Sequence, residues 1–210
     1  LVIGVIIALL RRRKYNISRD DVIFSSCYGG IGLLIGAKLL YIVTIIPAII
    51  ENWDVIKADM GILYQSLSAG FVFYGGLIGG LIGYYIYCRQ FKLDFLLFMD
   101  LMAPSLPIMH GIGRIGCLFA GCCYGIHYEG PFHITFERSI VAPNGVPLFP
   151  TQIVESILNI IAGIFLIIYS RRERQQGRII AVDIIYYSII RFILEFLRGD
   201  IPRGMVFSIS

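Results

Sequence analysis

The sequence predicts an all-α, polytopic membrane helical bundle with a small outer-face loop region, and three observations carry that prediction. Of the 210 residues, 57% are hydrophobic and 15% charged, with a mean hydropathy of +0.78, a composition no soluble domain shares. The apolar residues fall into runs long enough to cross a bilayer as helices. The basic residues gather in alternate connections, with Arg11, Arg12, Arg13, Lys14, Arg19, Arg89, Lys92, Arg171, Arg172, Arg174 and Arg178 on one side. Only Lys57, Arg138, Arg198 and Arg203 fall on the other, and eleven against four fits the positive-inside rule. The net charge of +4 is therefore a topology signal, and nothing in the chain reads as a nucleic-acid module.

The elements follow in order. Leu1 to Leu10 is half a span long and runs into Arg11 to Lys14, which reads as the tail of a first helix ending in cytosol. Val22 to Ile50 is long enough for a tilted crossing, with Gly32 and Gly36 one turn apart and Lys38 near its middle. Glu51 to Ala69 holds Trp53 and Tyr64, a mixture suited to the outer interface. Phe71 to Tyr87 crosses inward. Its Gly75, Gly79 and Gly83 at intervals of four, with Gly76 and Gly80 beside them, allow backbone-to-backbone helix contact. Phe95 to His110 returns outward, and Pro104 and Pro107 predict a kink or break. Ile126 to Pro150, with its polar and turn residues, is the outer loop; Thr151 to Ser170 crosses inward and Ile179 to Leu197 outward. A further apolar run starts after Gly204, and the abrupt ends mark the chain as one transmembrane domain, 1–210, cut at both termini.

The chemistry concentrates in His110 to Gly125, HGIGRIGCLFAGCCYG. It embeds Arg114 in an apolar, glycine-rich run, where a guanidinium keeps its charge and needs a partner. An anion is the natural one, and the glycines suggest a helix end with exposed N–H groups. On the last complete span Asp183, Tyr187, Arg191 and Glu195 follow at steps of four, with Arg198 three later, so they share a face. Arg191 either pairs with Glu195 to lock helices together or converges with Arg114 as a phosphate clamp, for which the planar fork is suited. Lys38 reads as snorkelling or as pairing with Asp100 or Asp183. Tyr74 is an interfacial anchor or a hydrogen-bond donor into a polar cavity, and His110 a structural histidine or a general base. Cys117, Cys122 and Cys123 read as small buried hydrophobes, because adjacent cysteines make a poor zinc site and a strained disulfide. The residual alternative is thiol chemistry beside Arg114.

GRIGCLFAGCCYG, Gly113 to Gly125, resembles the signature of the bacterial prolipoprotein diacylglyceryl transferases. FYGGLIGG, DLMAPSLP, PTQIVES and YSIIRFILEFLR resemble four further elements of that family in the same order and cover most of the chain from about Gly32 onward. The resemblance implies an inner-membrane enzyme of about seven transmembrane helices with its site facing the outer leaflet. It would move the diacylglyceryl group of phosphatidylglycerol onto the lipobox cysteine of a prolipoprotein signal peptide, forming a thioether and releasing glycerol phosphate. Membrane lipids are then its surroundings, and neither metal nor other cofactor is required. By motif position Arg114 and Arg191 match the two essential family arginines, Glu195 and Arg198 their neighbours, and Gly125 the terminal glycine of the signature. Tyr74 stands where the family has a histidine, Cys117 where it has an asparagine, and Cys122 where it has a glutamate. A tyrosine, with a pKa of about 10, is a poor base at neutral pH, so either His110 takes that role, or the acceptor thiol is activated mainly by the electrostatic field, or another acceptor is used. Tyr74, Tyr187, Glu195, Arg198, Cys117, Cys122 and Gly125 are the expected lining around the two arginines. A relative with another acceptor, a membrane thiol-redox protein and a non-catalytic lipid binder are the alternatives.

Overall fold

The computed structural model describes residues 2–200, apart from the side chains of Val55 and Ala58. The expected crossing after Gly204 lies outside the described residues, as does Arg203. The structure is mostly helical and divides into two compact units, residues 12–98 and residues 2–11 with 99–200.

In the first unit, α2 (Arg19–Glu51) starts at Ser18, whose Oγ accepts from Asp21 N–H at 3.0 Å, an N-cap that satisfies an orphan donor. Two short helices follow, α3 (Trp53–Ala58) and α4 (Met60–Ser68), and then α5 (Phe73–Gln90) returns along α2. The glycine spacing decides how closely these two long helices approach. A Cβ on Gly32 would lie 2.2 Å from Gly79 O, and one on Gly36 2.2 Å from Gly75 O. The two backbones therefore touch directly, as the small-residue spacing predicts. Tyr87 fastens one end by donating to Asp21 Oδ1 at 2.9 Å. Lys38 departs from expectation: its Nζ donates to Ser68 O at 3.1 Å and lies 5.1 Å from the ring centres of Tyr41 and Phe71. A carbonyl and two π faces hold this ammonium with no buried carboxylate.

The second unit contains α1 (Val2–Arg11), α7 (Ser105–Ala120), α8 (Thr151–Tyr169) and α9 (Arg178–Glu195). The span from Phe95 breaks as the prolines predict: α6 (Phe95–Met102) and α7 are bent by 41°. Pro104 sits at the break, and Pro107 is accommodated in the first turn of α7, where its missing N–H has no helical partner to lose. Asp100, expected as a partner for Lys38, is instead committed within this unit. Its carboxylate accepts from Gly177 N at 2.8 Å, Ile179 N at 3.0 Å and Ile180 N at 2.9 Å, satisfying the first turn of α9.

Against α7 packs α8, with Gly111 so close to Ser156 O that a Cβ would lie at 2.8 Å, and Tyr186 of α9 donates to Leu158 O of α8 at 2.9 Å. Between α7 and α8 the chain makes a small hairpin, β1 (Ile134–Thr135) antiparallel to β2 (Pro147–Leu148), over a core of Tyr124, Ala142 and Leu148. Residues 124–126 pair with residues 197–199 through Ile126 N to Leu197 O at 3.0 Å and Gly199 N to Tyr124 O at 3.0 Å.

By length and composition α2 and α8 are each apolar enough to cross a membrane, and α4 with α5 and α6 with α7 qualify as bent pairs. Their outward residues, among them Leu39, Val43, Ile161 and Phe165, are exposed aliphatics and aromatics suited to lipid. Gly79→Val is expected to force α2 from α5 and lower the thermal midpoint of the detergent-purified protein, by overpacking of about 1–3 kcal/mol. Ser188→Ala, at an exposed position on α9, is the matched control for the same melting measurement and is expected to leave the midpoint within error.

Candidate functional site

The second unit brings α7, α8 and α9 together around a set of charged side chains. Arg114 lies in the middle of α7, and its Nη2 is 2.9 Å from Glu155 Oε1 on α8. His110, one turn earlier, places Nε2 3.4 Å from the same oxygen. Glu155 is only 2% exposed and Arg114 12%, so this carboxylate is buried between a guanidinium and an imidazole. From α9, Tyr187 sets its ring 5.3 Å from that of His110, and Arg191 is near enough for its charge to act on the same imidazole. Arg191 and Glu195 form an ion pair one turn apart on α9, each side chain a quarter exposed.

Arg198 follows the end of α9 and is nearly buried, its Nε 2.8 Å from Asp200 Oδ1 and its Nη2 paired with Oδ2 of the same residue. Each of the three arginines thus has its own carboxylate. Glu155 meets Arg114 at one end of the fork only, and Arg114 Nε is left buried without a hydrogen-bond partner among the described residues. A guanidinium offers five N–H donors. One carboxylate anchors it and leaves donors for a second anion.

Several expectations need correction here. The glycine-rich run is no helix start with free N–H groups: Gly111, Gly113 and Gly116 lie inside α7, and Gly121, with φ +63°, ends the helix. That end is the carbonyl end, whose dipole disfavours anions, so any anion held here is held by side chains. Arg191 and Glu195 do pair, but within one helix, so the pair locks no two helices together. Gly125 is a packing position, where a Cβ would lie 2.4 Å from both Phe149 O and Thr151 Oγ1. Arg198 is engaged with Asp200, which the sequence did not single out. Tyr74 belongs to the other unit, in the first turn of α5, and is 69% exposed with its ring edge-on to Phe73.

The residue that sequence reasoning missed is Glu155, and the signal was present. Gln152, Glu155, Ser156 and Asn159 lie on one face of an otherwise apolar helix, and an ionisable residue within a span marks a functional position by default. All four are buried. Gln152 donates to Cys122 O at 2.9 Å and Ser156 to Gly111 O at 2.8 Å, which fixes α7 and the turn that follows it, while Asn159 donates within α8 to Glu155 O at 2.8 Å.

Cys122 and Cys123 lie beyond the last turn of α7, outside the spanning helix. Burial and the neighbouring thiols push the Cys122 thiol up to about 11. Burial also acts to raise Cys123, but the guanidiniums of Arg198 and Arg114 outweigh it and bring that thiol below its ordinary value.

The model of the prolipoprotein diacylglyceryl transferase family matches residues 1–210, the whole chain. The chain belongs to this family. A phosphatidylglycerol–prolipoprotein diacylglyceryl transferase of Clostridium tetani is 40% identical over 214 residues, covering 100% of this chain and 82% of the relative. A second such enzyme, from Clostridium perfringens, is 36% identical over 206 residues, 98% of this chain and 77% of the relative. One from Geobacter sulfurreducens is 31% identical over 200 residues, covering 93% and 72%. In this transferase family member the two signature segments carrying Arg114 and Arg191 lie on α7 and α9; α8 supplies the carboxylate that Arg114 and His110 share, and Arg191 has its own in Glu195.

Glu155→Ala leaves Arg114 buried without its counter-charge. Removing one partner of a buried pair is expected to destabilise by about 3–5 kcal/mol, read as a lower thermal midpoint in detergent, with Glu155→Gln less affected because its amide oxygen still accepts from Nη2.

Proposed function

We propose that the chain transfers the diacylglyceryl group of phosphatidylglycerol to the lipobox cysteine of prolipoproteins, working from the outer leaflet of the bacterial inner membrane. The observation that supports this reading most is the pairing of Arg114 and His110 with one buried carboxylate, with Tyr187 against the His110 ring and the Arg191 charge acting on that imidazole, in a membrane protein of this family.

The reaction follows from that arrangement. The acceptor thiolate attacks the glycerol carbon that bears the phosphate ester; the carbon–sulfur bond forms as the carbon–oxygen bond breaks, and the electron pair leaves with glycerol phosphate. Negative charge grows on the phosphate oxygens. Arginines fixed beforehand in a water-poor site stabilise that charge with little reorganisation. Arg114 contributes the donors that Glu155 leaves unused, and Arg191, a quarter exposed, turns from Glu195 to the phosphate. Their resident carboxylates keep both cations tolerable before lipid arrives. His110 takes the thiol proton, with Glu155 stabilising the imidazolium. Tyr187, Glu195 and Arg198 orient these groups, and Cys117 and Cys122 line the end of α7.

Arg191→Ala is expected to remain folded and to leave no diacylglyceryl adduct on a lipobox peptide in phosphatidylglycerol liposomes, as measured by mass spectrometry. Arg114→Lys, which keeps the charge and loses the fork, is expected to retain roughly a hundredth of the rate or less. Wild-type turnover in both variants would end the clamp reading, and an adduct on some other thiol but none on the lipobox peptide would point to a different acceptor. His110→Ala is expected to lose most activity at neutral pH and to recover part of it as the pH rises past about 8.5, where the acceptor thiol ionises unaided. A constant ratio to wild type across that range would remove His110 as the base.

A further inference from the structure

We propose that Cys117, Cys122 and Cys123 form a three-thiolate site for a soft cation, Zn2+ or Cu+, at the C-terminal end of α7. Their three sulfur atoms lie within 4.8 Å of one another. Metal–sulfur bonds of about 2.3 Å require sulfurs roughly 3.7–4.0 Å apart in tetrahedral or trigonal geometry, so small side-chain rotations close the site. Thiolates select cations of this class over hard ones.

The backbone explains why the sulfurs meet. Gly121 takes the left-handed conformation at φ +63°, Cys122 N–H bonds back to Cys117 O at 3.1 Å, and Gly121 N–H to Leu118 O at 3.1 Å. This Schellman turn lays the second residue past the cap over the last helical turn, a contact ordinarily made by two apolar side chains. Here both are cysteines. The next residue, Cys123, is itself left-handed at φ +58°, a conformation uncommon for a side chain of this kind, and it completes the group. Adjacent cysteines alone are a cramped chelate; the third sulfur, brought from five residues earlier, changes that.

The turn is held from outside as well as from within. Gln152 donates to Cys122 O at 2.9 Å, Ser139 Oγ to Gly121 O at 3.4 Å, and a Cβ on Gly121 would lie 2.2 Å from Ser139 Oγ. Arg198 and Arg114 stand near enough to Cys123 for their charges to act on it, and Arg114 acts on Cys117 as well. They offset the negative charge that three thiolates leave on a mono- or divalent ion. The cysteines are partly exposed, which gives the ion an entry path and gives Zn2+ a fourth position for water. Three protons leave to solvent on binding. The site shares Cys117 and Cys122 with the lining proposed for the transfer reaction, but metal binding is read without that reaction.

The test uses the full chain, purified in detergent after anaerobic reduction and titrated with Zn2+ and, separately, with Cu+ against a competing chelating indicator. Binding of one equivalent of either ion per chain is expected, with sulfur-to-metal charge-transfer absorbance when Co2+ replaces Zn2+ or when Cu+ is bound. Each of Cys117→Ser, Cys122→Ser and Cys123→Ser is expected to weaken binding tenfold or more, and the triple variant to abolish it. Preference for Zn2+ marks a tetrahedral site with water, and preference for Cu+ a trigonal one. Failure of both ions to bind stoichiometrically, or binding that survives in the triple variant, overturns the proposal. Should the triple variant not purify folded, the single variants decide, and affinity within twofold of wild type in all three overturns it equally.

Discussion

Glu155 is the group on which the second unit depends, because it lets an arginine stand in the middle of an apolar helix pair. An isolated guanidinium at membrane depth costs several kcal/mol, and so does an isolated carboxylate. Brought to 2.9 Å with Glu155 2% exposed, they cancel each other's charge while retaining unequal hydrogen-bonding capacity: the carboxylate is shared by Arg114 and His110, and the guanidinium keeps donors in reserve. The pair is therefore stable enough to fold and incomplete enough to bind. Ser156 and Gln152, on the same face of α8, fix the geometry by bonding to α7 and to the turn that follows it, so the polar stripe of α8 acts as a template for the charged groups of its neighbours.

The two units solve the packing problem of a membrane helix pair differently. Where α2 meets α5, glycines at Gly32, Gly36, Gly75 and Gly79 let the backbones touch, with van der Waals attraction and weak carbonyl contacts as the cohesive forces. Where α7 meets α8, Gly111 admits Ser156 to hydrogen-bond distance of its carbonyl and Gly163 admits Ile108, and buried polar groups supply the rest. The first solution gives rigidity without chemistry. The second places donors and acceptors in the interior, where each must be satisfied, and it is there that the charged residues of this transferase family collect.

Much of this was legible in the sequence. The glycine period of four in FYGGLIGG, facing Gly32 and Gly36, announced the backbone contact, and Pro104 announced the bend between α6 and α7. Arg114 and Arg191 were visible because an apolar run tolerates a permanent charge only where something pairs with it. What stayed hidden depended on distance in three dimensions. Asp100 could be identified as a buried acid, but its partners are backbone N–H groups 77 to 80 residues away, and no side-chain pattern advertises a backbone donor. The glycines of HGIGRIG suggested a loosened backbone, yet inside a packed helix they serve close approach or leave open space: Gly113 and Gly116 have nothing within 4 Å of a Cβ position. Glu155 was overlooked because it lies in a run that otherwise reads as an ordinary apolar span, although its spacing from Gln152 and Asn159 held the information.

The departures at Cys117 and Cys122 now acquire a common physical reading. Residues of the asparagine and glutamate type, which the family resemblance places at these positions, offer oxygen and nitrogen; here sulfur stands at both, and Cys123 adds a third beside them. A single such replacement would be a loss of polarity at the rim of the arginine cluster. Three together, folded against one another by a left-handed cap and held by Gln152, exchange a lining of hard oxygen and nitrogen groups for a soft one whose charge depends on what it binds. Arg114 then faces a fixed carboxylate at Glu155 and, beyond the end of its helix, the Cys123 thiol, whose ionisation its charge and that of Arg198 promote. The balance of charge around the arginines is consequently set from two sides, and only one of those sides is constant.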